Sequence, residues 1–297
     1  MAGETLSGSS IDEIVNTEWI DPLIGDYMKD VLVIGDERVI RVVDLRGKAT
    51  KTYTFVRWNK DTGADITTEG TTLLSADDLT TSDVQCTVAQ VGILREPTKL
   101  AERVNLLGEA GLQEVIAQDG GYLCKEMAED DLAALFTSVT LAAGTTGVTA
   151  SVSTAIEALS KRRTAKANGS PVFIWDDKAA QDFTQSLGST TGSLWTGGNG
   201  QNVMQNLAAA DGFMGTFLGA PMFYTNLTDT INAGADVCSA CLNAGGKNPS
   251  LVMAILWMPE LERDLNIAKT TRLYAINMAY GVMLANDAPT VKIVSKA

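Results

Sequence analysis

A ribbon of about forty residues, Asp36 to Ala76, carries too few apolar side chains to build a core of its own, and this constrains the fold more than any other feature. The run from Lys51 to Trp58 (KTYTFVRW) predicts a strand with polar residues on both faces, and Asn59 to Gly63 predicts a turn. Fixing backbone costs about 1–2 kcal/mol per residue, so ordering such an arm costs tens of kcal/mol. An isolated two-stranded hairpin is marginal in water. The ribbon is therefore expected to lie on another surface, that of a neighbouring copy, which points to assembly before catalysis.

The opposite end is its complement. Arg272 to Ile293 (RLYAINMAYGVMLANDAPTVKI) is apolar, aromatic and β-branched, and predicts paired, buried strands broken at Gly281 and Pro289. A chain of 297 residues with 45% hydrophobic content can bury a large core, in two packed lobes. The net charge of −13 argues against the basic footprint with which nucleic-acid binders neutralise phosphates. There is no histidine. That removes the commonest general base and metal ligand, and with them Ser-His-Asp, Cys-His and zinc-protease chemistry. Met1 to Asp12 lacks the pattern of a signal peptide, and the longest apolar run, Leu251 to Met258, is too short to cross a bilayer. The expectation is a soluble chain made in a cytosol, with no membrane partner.

Between these ends the periodicity changes twice. Ile14, Trp19, Ile20, Leu23, Ile24 and Tyr27 could anchor an N-terminal arm over residues 1–35. Asp83 to Val91 alternates as a half-buried strand, with Gly92 and Pro97 as punctuation. From Lys99 to Phe136 the spacing is helical, predicting a long spine that Gly108, Gly111 and Gly120-Gly121 bend or split. Ala142 to Val148 predicts a linker. Beyond it come a helix from Ser153 ending in Lys161-Arg162-Arg163, a buried strand Pro171 to Trp175, and a helix capped by Asp176-Asp177. A glycine-rich excursion over 188–200 precedes a short helix around Val203 to Leu207. Strands over Phe213–Gly219 and Met222–Tyr224 then turn at Ala220-Pro221, and Leu251 to Trp257 is a further buried strand. This lobe is α/β, in a chain that is α+β as a whole.

Candidate chemistry does not survive inspection. Gly245-Gly246-Lys247-Asn248 lacks the first glycine and the Ser/Thr of a phosphate loop, and Gly197 to Gly200 lacks the strand-then-helix setting of a dinucleotide fingerprint. Cys238 and Cys241 have no second pair to complete a zinc site and read, with Cys86 and Cys124, as buried thiols. The acidic pairs Asp77-Asp78, Asp130-Asp131 and Asp176-Asp177 read as caps, and Lys161 to Arg163 as a solvated helix end. No cofactor, metal or catalytic residue is expected.

Taken in order, these elements resemble the major capsid proteins of tailed bacteriophages, with their HK97-like fold. The resemblance is carried by Thr68-Glu69-Gly70-Thr71 returning from the arm, the strand Val84 to Val91 ending at Gly92, and Tyr280-Gly281-Val282 with the strands that follow. It implies an N-terminal arm (1–35), an extended β-hairpin loop (36–76) lying over a neighbouring subunit, a peripheral domain with the spine helix (77–147 and 258–297) and an α/β axial domain (148–257). The function implied is a virion capsid protein, made in the host bacterial cytoplasm. It assembles with itself as hexamers and pentamers into an icosahedral shell that encloses double-stranded DNA without sequence-specific binding. The resemblance further implies a portal, a separate scaffolding protein, since 35 residues are too short for a scaffolding pro-segment, and a possible decoration protein. Extended-loop interface residues would be Lys51, Tyr53, Arg57, Trp58, Asp61, Asp65 and Glu69. Some relatives cross-link a loop lysine to an asparagine; Lys48, Lys51 and Lys60 are available here, but no motif fixes the asparagine. An encapsulin-like shell holding enzyme cargo shares the fold, and a soluble α/β enzyme acting through Asp176 or Lys247 is the reading from another class.

Overall fold

The computed structural model describes residues 32–48, 50–58, 80–100, 108–189, 212–266, 269 and 271–297. Its strands, in chain order, are β1 (Arg41–Asp44), β2 (Thr52–Trp58), β3 (Thr81–Thr87), β4 (Ala89–Arg95), β5 (Leu141–Gly144), β6 (Pro171–Asp176), β7 (Phe213–Phe217), β8 (Ala220–Thr225), β9 (Thr230–Ile231), β10 (Asp236–Asn243), β11 (Leu251–Asn266), β12 (Thr271–Leu284) and β13 (Val291–Lys296). The helices are α1 (Gly108–Ala134), continued by a 3-10 turn over Leu135–Ser138, α2 (Val152–Thr164) and α3 (Asp177–Ser189).

These strands form one separate pair, β2–β3, and two main sheets. One has the order β1-β11-β12-β4, and the other β5-β13-β10-β6-β8-β7 with β9 beside β10. The first packs one face on α1 and the other on the two-stranded β2–β3 hairpin. The second packs α2 and α3 on one face, around the stacked rings of Phe173, Trp175 and Phe183. Its opposite face joins α1 and the first sheet in a shared core that includes Leu132, Phe136, Ile174, Leu242 and Tyr274.

Several expectations change at the level of elements. The strand expected over Asp83–Val91 is two strands, because the chain crosses at Val88 from the hairpin to the four-stranded sheet: β3 pairs with β2, and β4 with β12. Gly281 does not break its strand. It sits within β12 where the β3–β4 crossover passes over it, and a Cβ there would meet the Thr87 carbonyl oxygen at 2.9 Å. Pro289 does lie in a break, but the strands it separates do not pair with each other. β12 lies between β11 and β4, whereas β13 lies between β10 and β5. The linker expected at Ala142 is partly β5, which β13 recruits in parallel. The turn placed at Ala220-Pro221 lies one step earlier, at Leu218-Gly219, where both residues have positive φ (50° and 82°). The excursion over 188–200 lies largely, and the helix around Val203 entirely, outside the described residues.

The spine helix runs through Gly111, Gly120 and Gly121 without interruption, and its 27 residues span about 40 Å at 1.5 Å each. A Cβ on Gly120 would lie 2.7 Å from Ile276 Cδ1, so this glycine brings the helix close against β12. The strand least visible in the sequence is β10. All eight of its residues are buried, and Cys238 and Cys241 lie on its opposite faces, each in a separate core. Burial pushes both thiols up, to about 11 and about 12, which makes them inert packing groups.

Candidate assembly surface

Three features of the described residues bear on what the surface can contact. The first is the β2–β3 pair, which flanks the segment expected to form an extended loop. Along β2, burial follows a strict period of two: Thr52, Thr54 and Val56 face solvent, while Tyr53, Phe55 and Arg57 turn inward. The strand therefore has one packed face, contrary to the expectation of polar residues on both. Phe55 is 6% exposed and packs with Cys86, Val88, Val252, Ala254, Ala279 and Met283. Arg57 donates from Nε to Ser82 Oγ (2.7 Å) and from Nη1 to Asn286 Oδ1 (2.7 Å), tying the hairpin to the loop after β12.

Of the residues expected at a loop interface, the structure thus places Tyr53 and Arg57 against their own subunit and Lys51 in solvent. It pairs the Trp58 backbone with Thr81. Asp61, Asp65 and Glu69 lie outside the described residues. The inward face was readable from Tyr53-Phe55 at alternate positions, but the intervening threonines and Lys51 obscured it.

The second feature is the distal half of the β11–β12 ribbon. Sequence placed the end of this strand at Trp257, yet β11 continues through Pro259 to Asn266, paired with Thr271 to Asn277. Pro259 and the charges that follow hid the extension. The proline falls at a register shift between Trp257 and Glu260, where no ladder hydrogen bond is lost. Met258, Leu261 and Leu265 are 38–45% exposed on this ribbon. The turn is held by Glu96, whose carboxylate accepts from Thr271 Oγ1 (2.6 Å) and Asn266 Nδ2 (3.3 Å) and pairs with Lys269 (3.5 Å). The Thr271 hydrogen bond, with the Lys269 charge behind it, holds that carboxyl below the usual range. On the helix side, Arg263 Nη1 donates to Gln113 Oε1 at 2.9 Å.

The third feature is where residues 33–35, near the start of the described chain, lie against α1. The Glu129 carboxylate on α1 is 5% exposed and accepts three backbone hydrogen bonds, from the N–H groups of Val33 (3.1 Å), Ile34 (2.6 Å) and Gly35 (2.5 Å). A Cβ on Gly35 would come within 2.8 Å of Glu129 Oε1, so a larger residue there would push the carboxylate from its present position. Burial raises the Glu129 carboxyl, opposed by those three donors.

The remaining candidates have structural roles. Asp176 caps α3 by accepting from the Lys178 N–H (2.9 Å) and also binds the Thr228 hydroxyl (2.6 Å). Asp130 and Asp131 do not cap anything; they lie inside α1, where Asp131 accepts from the Tyr280 hydroxyl at 2.6 Å. Asp77 and Asp78 lie outside the described residues. The basic cluster is not a solvated helix end either: Arg162 is buried, and Lys161 donates to the Ala142 carbonyl and pairs with Glu157. Lys247 sits in the loop before β11, where Gly245 lies against the backbone of residues 37–40. Among the described residues no group of three or more His, Cys, Asp or Glu side chains could hold a metal ion, and no helix is long and apolar enough to cross a membrane.

No family model and no curated protein sequence matches the chain. Its fold, however, is shared with solved capsid structures. It matches a structure from Mycobacterium phage Che8 with a TM-score of 0.67 at 16% identity, covering 93% of this chain and 95% of that one. The capsid of a native GTA particle matches with a TM-score of 0.66 at 14% identity (94% and 95% covered), and the capsid of cyanophage P-SCSP1u with 0.65 at 11% (97% and 95%). The chain has the capsid fold of tailed bacteriophages. It shares that fold over almost its entire length, at identities too low for sequence comparison to reach.

Proposed function

We propose that this chain is a major capsid protein that assembles as hexamers and pentamers into an icosahedral shell around double-stranded DNA. The observation that carries this reading is the shared fold with phage capsid structures over 93–97% of the chain. An insertion or a lone shared domain would not give such coverage.

In this reading residues 1–35 are the N-terminal arm and 36–76 the extended loop. Residues 77–147 with 258–297 form the peripheral domain, and 148–257 the axial domain. The boundary at 257–258 falls within β11, so these two domains share a strand. The exposed Leu261 and Leu265 supply apolar area for contacts between subunits. Lys51 and Trp58, with Asp61, Asp65 and Glu69, supply the loop's contacts to a neighbour, while Tyr53 and Arg57 hold its base in place. The net charge of −13 fits containment of a genome, since tight binding would need cationic groups to displace counterions. A scaffolding protein, a portal and a possible decoration protein complete the particle. The protein works as architecture, without catalysis, in the virion, after synthesis in the host bacterial cytoplasm.

Expression of the chain, alone and with a scaffolding protein, followed by negative-stain microscopy, tests the proposal. Discrete closed shells are expected, packaging DNA when the remaining head proteins are present. Monomers or small oligomers under every assembly condition would overturn it. Shells loaded with a specific protein cargo would move the assignment to an encapsulin-like compartment.

A further inference from the structure

Beside Glu129 lies an apolar groove of about 440 Å³ that none of the roles above uses. Leu32, Val42, Leu132, Ile255, Met258 and Met278 line it, and Lys125 and Glu37 stand among its polar residues. Two facts bear on what fills it. Leu32, the first described residue, is itself part of the wall, so the 31 residues that precede it are tethered at the groove. The three hydrogen bonds to Glu129 immobilise the next residues, 33–35, so that this tether point is fixed.

The tethered segment has the chemistry the groove lacks. Ile20, Leu23, Ile24 and Tyr27 recur at i, i+3, i+4 and i+7, an apolar stripe, with Trp19 beside it. Only residues 28–31 separate this stripe from the wall. A segment joined by so short a linker has an effective concentration of about millimolar at the site, above that of any second copy in dilute solution. We propose that the groove between α1 and the β1–β11–β12 sheet is the seat of this chain's own residues 20–27. Glu129 acts as the positioning residue that aims the arm. The arm is thereby stowed on its own body in the free subunit.

The test uses the full chain as unassembled subunits, so its result does not depend on whether shells form. Ile20→Cys, Leu23→Cys or Ile24→Cys is each combined with Met258→Cys, a partly exposed groove residue, and oxidised. The four native cysteines are all buried and stay in place. At least one pair is expected to close within a single chain, well above a Ser9→Cys/Met258→Cys control. In parallel, Met258→Asp is expected to raise amide exchange over residues 20–27 at least tenfold while leaving α1 protected. Cross-linking no better than the control, or exchange unchanged by Met258→Asp, would overturn the proposal. Cross-links found only between chains would also overturn it, in favour of a second copy as occupant.

Discussion

At the scale of single residues, the most informative side chain is Arg162, because its neighbours in sequence give no hint of its burial. It is 4% exposed, donates from Nη1 to the Pro289 carbonyl (2.8 Å), and bonds Asn243 Oδ1 and more weakly the Gly169 carbonyl through Nη2. It thus links α2 to β10 and to the turn before β13. A hydrogen bond from a charged donor contributes about 1.5–3 kcal/mol, and the abandoned acceptors add a cost. Arg162→Met should therefore lower unfolding free energy by about 2–4 kcal/mol in denaturant titration. Arg163→Met, on the exposed side, should change it by no more than about 0.5 kcal/mol.

Glu129 makes a prediction of opposite character, in pH. Its folded-state pKa lies above the ordinary carboxyl value because burial penalises the charge more than three N–H donors reward it. The carboxyl's contribution is then full below the unfolded pKa, near 4.5, and is lost as pH rises through the higher folded value. Glu129→Gln, which cannot ionise, lacks that slope. The stability advantage of wild type over Glu129→Gln should shrink as pH is raised from 4 toward neutrality, measured by denaturation at each pH. A growing advantage would mean that the donors outweigh burial.

At the scale of elements, α1 and β12 meet so closely that glycine decides the distance. Gly120→Ala would gain about 1 kcal/mol of helix propensity but place a methyl within 2.7–3.1 Å of three Ile276 carbons in a closed core, an overpacking cost of about 1–3 kcal/mol. Gly121→Ala has nothing nearer than Pro259 Cβ at 4.0 Å and should keep the propensity gain. Thermal melts of the two variants should move in opposite directions, Gly120→Ala down and Gly121→Ala up. These adjacent glycines look alike in sequence, where both suggest a break in the helix. The same limit explains the other misread elements. Helix spacing, the strand from Pro171 to Trp175 and the Asp176 cap depend on local chemistry and were legible. Gly281, Val88 and β10 depend on which strand passes overhead, and no local pattern records that. The polar run after Trp257 was missed because a ribbon exposed on its outer half lacks the apolar alternation that marks a strand.

At the scale of the whole molecule, part of the order of elements was legible and their pairing was not. The two sheets draw on distant parts of the chain: β1 runs beside β11, and β13 returns to β5. Of the expected loop, the base lies among the described residues and the tip, 59–79, lies outside them. The base needs no neighbour, because Phe55 and Arg57 anchor β2–β3 to the subunit. This sharpens how the loop's role in assembly should be tested. Removing Lys51 to Thr68 would take away the core residue Phe55 and confound folding with assembly. Replacing residues 59–79 by a short Gly-Ser turn keeps the β2–β3 pairing from Thr52↔Thr87 to Trp58↔Thr81 intact. If the tip fastens subunits to one another, this variant should unfold at nearly the wild-type denaturant midpoint yet give no shells, or shells that fall apart at lower temperature or denaturant. Both are measurable on one preparation by spectroscopic unfolding and microscopy. Particles as stable as wild type would remove the tip from the assembly and leave the β11–β12 ribbon, with Leu261 and Leu265 in solvent, to carry the contacts between subunits.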